Sequence, residues 1–128
     1  MPRLRTSLVG RPAPAFSGTA PDLTPASLEP GEGRTVLLFL TSSCEPCRAV
    51  WSDLAGTTCP GVVAVTPDAT TEDARAVAAV AGLSKVVMST EAWLAYGVSR
   101  APWAIVVENG LVVSDGPASP PAGGFAGR

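Results

Sequence analysis

The strongest constraint on the fold is a change of period near residue 44. Thr35-Val36-Leu37-Leu38-Phe39-Leu40-Thr41 is an unbroken β-prone apolar run, the pattern of a buried parallel strand. Just beyond it, Cys47, Val50, Trp51 and Leu54 recur at i, i+3, i+4 and i+7, one face of a helix that Gly56 is placed to stop. The same alternation then repeats. Val62-Val63-Ala64-Val65 reads as a second strand. Thr70-Thr71-Glu72-Asp73 reads as a helix cap with first-turn acids, ahead of an apolar face of Ala74, Val77, Ala78 and Ala81 that ends at Gly82. Val86-Val87-Met88 is a third strand and Thr90–Gly97 a short helix with a glycine stop. Trp103–Val107 and Leu111–Val113 flank Glu108-Asn109-Gly110, where Asn-Gly is a strong hairpin signal. The order β-α-β-α-β-α-β-β predicts an α/β sandwich, mostly parallel, with an antiparallel hairpin at one end.

Composition sets the limits of function. A chain of 128 residues with 46% hydrophobic and 16% charged residues is the size and character of one folded domain. Nine of the 13 prolines lie outside residues 31–116, so residues 1–30 are predicted to be a Pro-rich arm packed on the domain 31–116. Residues 117–128 are predicted to be a flexible tail. Nine basic against eleven acidic residues leave no basic stripe, so no nucleic-acid partner is expected. There is no histidine, which removes histidine-based nucleophile systems, histidine metal sites and histidine acid–base catalysis. No apolar run is long enough to span a bilayer, and Arg11-Pro12 interrupts the opening segment before a signal-peptide core can form, so the chain as written reads as cytoplasmic.

The candidate chemistry lies in Cys44-Glu45-Pro46-Cys47, at the junction of the first predicted strand and helix. Cys44 falls at the helix mouth, where free backbone N–H groups and the positive end of the helix dipole stabilise a thiolate. Cys47 lies on the apolar stripe, so one turn places an exposed attacking sulfur above a shielded resolving one. Pro46 stiffens the turn where its missing N–H costs nothing. Glu45 is expected to oppose the thiolate and favour a reducing couple. Burial as packing residues accounts for Cys47 but not for Cys44, which lies among Thr41, Ser42, Ser43 and Glu45. With Cys59 there are three cysteines, too few for a closed zinc site without histidine, and Arg48 stands where haem attachment needs histidine. No metal and no cofactor are expected, and Cys59 reads as a small packed residue.

The strand 36–41 leading into Cys44-Glu45-Pro46-Cys47 resembles the active site of the thioredoxin superfamily. Tyr96-Gly97-Val98-Ser99-Arg100-Ala101-Pro102-Trp103 is similar to its Tyr-Gly-Val…Pro segment, which implies that Pro102 is cis and faces the cysteines. Gly10-Arg11-Pro12-Ala13-Pro14-Ala15-Phe16 and the additional α-β unit from Thr70 to Met88 resemble the TlpA-like and MauD-like redoxins. The resemblance covers roughly residues 10–116. It implies a thioredoxin-like sandwich, a mixed sheet with flanking helices, carrying an extra α-β insert. The closing C-terminal helix of the family is expected to be missing here, because Gly116-Pro117-Ala118 runs into the Pro/Gly-rich tail. An uncovered sheet face would follow, suited to a homodimer or partner. Leu38 stands where thioredoxin has a buried aspartate.

The resemblance implies a thiol–disulfide oxidoreductase whose catalytic residues are Cys44 and Cys47. Pro46, Ala101, Pro102 and Trp103 would position an extended peptide, with Trp103 and Trp51 as candidate walls of the groove. Its partners would be a protein disulfide as substrate and an electron-donor protein. Because such redoxins are mostly extracytoplasmic, a missing anchor or signal would give an extracytoplasmic location instead. Two other readings stay open. A thiol peroxidase would place proline and threonine before its cysteine, and Thr41 fits while Leu37 does not. A non-catalytic redoxin-fold module would use the CxxC for interaction or for transient carriage of a soft metal.

Overall fold

We describe residues 7–55, 61–82 and 84–118 in a computed structural model of the chain. The elements run β1 (Phe16–Thr19), β2 (Pro25–Leu28), β3 (Arg34–Phe39), α1 (Cys47–Ala55), β4 (Val62–Thr66), α2 (Ala74–Ala81), β5 (Lys85–Met88), α3 (Thr90–Ala95), β6 (Trp103–Glu108) and β7 (Leu111–Pro117). Among the described residues the strands form one mixed sheet in the order β2-β1-β5-β4-β3-β6-β7. The apolar run is an inner strand: β3 pairs in parallel with β4 and antiparallel with β6. This is the thioredoxin-like α/β fold that the resemblance implies. The mostly parallel sheet expected from the period changes is not found, since only β3–β4 and β4–β5 pair in parallel, while β1–β2, β1–β5, β3–β6 and β6–β7 are antiparallel.

The two faces of β3 sort the core. Leu37 and Phe39 point to one side, with Val63, Val65, Val87, Ile105 and Val107 of neighbouring strands and with Ala92 and Tyr96 at α3. Leu38 and Leu40 point to the other, with Ala64, Val86 and Met88 and with the apolar faces of α1 and α2. Cys47, Val50, Trp51 and Leu54 are all buried, so the predicted helical stripe is the one that packs. Each fully buried side chain of this size contributes roughly 1.5–3 kcal/mol relative to exposure. On α2 the buried residues are Val77 and Ala81, whereas Ala78, expected on that face, is exposed.

Turn chemistry sets the element ends. Asn109 (φ 51°) and Gly110 (φ 81°) both adopt the left-handed region, as a tight hairpin demands. Gly82 ends α2 with φ 53°, and a Cβ there would lie 2.4 Å from the Ala55 carbonyl oxygen, so the end of α1 admits only glycine beside it. Asp73 is the cap of α2, its carboxylate accepting from the Arg75 and Ala76 N–H groups. Glu72 therefore lies ahead of the helix rather than in its first turn. Gly56 and Cys59 lie outside the described residues.

The arm is more structured than its prolines suggest. Gly10 and Ala13 donate to the Val112 and Gly110 carbonyls at 2.8 Å, and Val112 donates to Arg11, which ties the arm to β7. The chain then crosses beneath α3, where the Tyr96 hydroxyl donates to the Pro14 carbonyl at 2.6 Å and the Phe16 ring meets Tyr96 edge-on. It finishes as the β1–β2 hairpin, joined to β5 at Thr19–Met88. Sequence reasoning finds no strand here because Phe16–Thr19 and Pro25–Leu28 are only four residues each and lie among the prolines of the arm, although Ala26 and Leu28 do alternate inward. At the other end, β7 runs four residues further than its apolar triplet, with a bulge between Val106 and Val107. Among the described residues no helix is long and apolar enough to cross a membrane.

Candidate active site

The site is built at the end of β3. Leu40 extends the ladder beyond β3 by donating to the Val65 carbonyl at 3.0 Å. Residues 41–43 then cross to α1. The Trp51 indole N–H donates to the Thr41 carbonyl at 3.0 Å, pinning this crossing to the helix. Trp51 is 3% exposed, so it is a core anchor and not a groove wall. Its position on the Cys47-Val50-Leu54 stripe already carried that signal.

Cys44-Glu45-Pro46-Cys47 forms a tight turn in which the Cys47 N–H donates to the Cys44 carbonyl and the Arg48 N–H to the Glu45 carbonyl, both at 3.1 Å. Pro46 is exposed in that turn, where no N–H is required of it. Cys44 is half-buried and Cys47 wholly buried, and both are free thiols. Glu45 does not stand alone: its carboxylate lies 3.5 Å from the Arg48 guanidinium, both side chains about four-fifths exposed. The expected opposition of Glu45 to a thiolate is thereby partly compensated, although so exposed a pair adds little stability.

The second half of the site arrives from the β5–β6 side. The Ala101–Pro102 peptide bond is cis. The Cys44 thiol donates to the Ala101 carbonyl at 3.7 Å, so the segment before the proline faces the outer sulfur, 57 residues away in sequence. The Ala101 carbonyl is the group against the sulfur. The Pro102 carbonyl in turn accepts from Ala118 at 3.1 Å. Trp103 is half-buried, its indole N–H donating to Asp115 at 2.7 Å and its ring lying under the Arg100 guanidinium at 5.7 Å. It thus stands on the opposite sheet face from Trp51, packed against the Phe39–Tyr96 cluster.

The inner sulfur is the electrostatically distinctive group. Burial, and then a hydrogen bond with Cys44, push the Cys47 thiol up to about 12. Burial also pushes the Tyr96 hydroxyl up to about 12. For both, the folded chain retains a proton that the unfolded chain releases at about 9 or 10. Their stabilising effect is thus complete below those ordinary values and is lost as pH climbs toward 12. The reduced protein is therefore expected to lose stability above about pH 9 more steeply than the oxidised protein, in which Cys47 cannot ionise. Denaturant titrations of both redox forms at pH 8 and 10.5 check this; equal losses in the two forms would contradict it.

One residue that sequence reasoning misses is Glu72. Its carboxylate accepts the Ser42 N–H and O–H at 3.0 and 2.5 Å, joining the segment ahead of α2 to the CxxC loop. Nothing in the sequence signals a contact across 30 residues. Among the described residues no group of three or more cysteine, aspartate or glutamate side chains is gathered in a way that could hold a metal ion.

No family model and no curated protein matches the chain. Solved structures do. A protein described as the thiol:disulfide interchange protein DsbE from Chlorobium tepidum superposes with TM-score 0.71 at 26% identity, over 91% of this chain and 90% of that one. The thioredoxin domain of a thiol-disulfide oxidoreductase from Bacteroides vulgatus gives 0.66 at 20% identity, over 86% and 89%. StoA from Bacillus subtilis gives 0.63 at 18%, over 84% and 91%. The scaffold and the cysteine pair between β3 and α1 define a thioredoxin-like thiol–disulfide oxidoreductase.

Proposed function

We propose that the chain reduces protein disulfides through the Cys44/Cys47 couple and is itself re-reduced by an electron-donor protein. The observation that carries this reading is the stacking of a half-buried thiol over a buried one, with the cis Ala101–Pro102 segment against the outer sulfur. The Cys44 thiolate attacks one sulfur of the substrate disulfide. A mixed disulfide forms and the other substrate sulfur leaves as a thiolate that takes up a proton. Cys47 then loses its proton to solvent and attacks the Cys44 sulfur. The Cys44–Cys47 bond forms, and the second substrate thiolate departs and is protonated. The two cysteines lose two electrons and the substrate disulfide gains them.

Pro46 keeps the attacking turn rigid, and the Ala101 backbone offers an edge on which an extended peptide can pair, with Trp103 beside it. Such pairing fits a protein substrate, since it reads backbone rather than a small molecule. The exposed Val113 and half-buried Val106 at the β6–β7 end are where a second copy or a partner would sit.

The direct test is the reduction potential, read by trapping thiols with an alkylating agent across a glutathione series. A single two-electron couple near roughly −270 mV is expected for a reductant. A value near roughly −120 mV would make the protein an oxidant, and no disulfide at any poise would end the redox reading.

A further inference from the structure

The cis-proline segment carries a cation that the disulfide chemistry does not use. Arg100 immediately precedes Ala101, whose carbonyl lies 3.7 Å from the Cys44 sulfur. Its side chain is exposed, yet the guanidinium has a seat, 5.7 Å from the centre of the Trp103 ring. That ring is itself held. The Trp103 indole N–H donates to one Asp115 oxygen at 2.7 Å, and the other oxygen accepts the Leu8 N–H at 3.1 Å, so β7 and the arm fix the seat together. A guanidinium resting on a ring face keeps its in-plane N–H fork free to meet a carboxylate.

Nearby charges on the CxxC side are already engaged: Arg48 lies 3.5 Å from Glu45, and Glu72 accepts from Ser42. Among the described residues no carboxylate pairs with Arg100. A peptide lying along the Ala101 backbone, with its cysteine at Cys44, carries the residues beside that cysteine past Arg100, because successive Cα atoms are only about 3.8 Å apart. We propose that Arg100 is a specificity-determining residue: it selects protein disulfides in which the attacked cysteine is flanked by aspartate or glutamate. The proposal rests on the oxidoreductase reading above and adds the substrate class to it.

The test uses the full chain with Cys59→Ser and two synthetic peptides of one glycine–serine sequence. Each has a single cysteine joined by a disulfide to nitrothiobenzoate, flanked on both sides by aspartate in one peptide and by lysine in the other. The Cys44 thiolate attacks the peptide sulfur, the bond to nitrothiobenzoate breaks and that coloured thiolate leaves. Cys47 then gives its proton to solvent and closes on Cys44, and the peptide leaves as a thiol. The readout is the ratio of second-order release rates, aspartate peptide over lysine peptide. Folding, the reactivity of Cys44 and the intrinsic reactivity of each peptide cancel when that ratio is compared between variants. Arg100→Gln should lower it by about three- to tenfold. Arg100→Lys, which keeps the charge, should retain most of the preference, and Arg100→Glu should move the ratio further toward the lysine peptide.

A ratio that Arg100→Gln leaves unchanged or raises would overturn the proposal. A parent that releases nitrothiobenzoate from neither peptide would end the thiol-exchange reading instead, and recognition is then decided by binding alone. Dye-labelled versions of the two peptides, with serine in place of cysteine, are titrated with the parent and with Arg100→Gln by fluorescence anisotropy. A preference for the aspartate peptide that Arg100→Gln loses supports the proposal, and equal preference in the two proteins overturns it.

Discussion

With Cys47 replaced by serine, the chain is expected to attack one disulfide and stop. Cys44 is half-buried at the surface of the site and keeps its contact with the cis-proline segment, so the first displacement survives the change. The second does not, because a serine hydroxyl is neither acidic nor soft enough to displace a thiolate from sulfur at neutral pH. The mixed disulfide should therefore accumulate to one equivalent per chain, visible by mass spectrometry and released by reductant. Cys44→Ser should show no adduct at all, with turnover lower by on the order of 10³-fold or more, the scale seen when a nucleophile is removed. Both variants belong in a Cys59→Ser background, so that no third thiol intervenes. Cys47 is wholly buried, and a hydroxyl there without a good partner costs about 1–3 kcal/mol. Cys47→Ala avoids that cost and should trap equally well. Multiple turnovers by either variant would show that another group resolves the intermediate.

The parts of this site that are legible in the sequence are those whose physics is local. The switch from a continuous apolar run to a helical stripe at Cys47, Val50, Trp51 and Leu54 places a thiol pair at a strand–helix junction, and burial of that whole stripe follows from its spacing. Asn109-Gly110 and Gly82 mark their turns because their backbone angles admit few other residues. Pro102 is different. Nothing local distinguishes it from the other prolines, and only the resemblance to a family segment assigns it the cis bond that brings Ala101 to Cys44.

What stays hidden is non-local polar pairing. Glu72 reads as a first-turn acid because it precedes an apolar period, yet Asp73 takes the cap and leaves Glu72 for Ser42. Glu45 reads as an unopposed charge because the contact with Arg48 forms only once the turn is helical. The β1–β2 hairpin is hidden for the complementary reason. Its strands are only four residues each, and the apolar contacts they make, through Phe16, Ala26 and Leu28, are too few to announce a side-chain period.

That hairpin makes Gly18 the site of the largest expected effect on stability. Gly18 pairs with Ala26 in β2 while its other side lies against β5. A Cβ added there would meet the Met88 carbonyl oxygen at 2.0 Å, with the Met88 carbonyl carbon and the Ser89 Cβ within 3 Å. The obstacle is backbone of a buried strand, so no rotamer change relieves it. Either β5 moves, with Val86, Val87 and Met88 in the two cores, or the hairpin lifts away and uncovers them. Gly18→Ala is expected to cost about 3 kcal/mol, at the upper end of overpacking penalties. Gly31→Ala is the matched control: a Cβ there meets nothing within 4 Å, and its change should stay within about 1 kcal/mol of the parent. Denaturant midpoints of the three proteins measure both. The cysteine pair hangs from β3 and α1, with β5 and β4 between β3 and β1, so the hairpin and the chemistry are separable. Gly18→Ala should form the Cys44 adduct and close it at the parent's rate wherever it remains folded. A fall in that rate at unchanged fold content would mean instead that the hairpin supports the active site through β5.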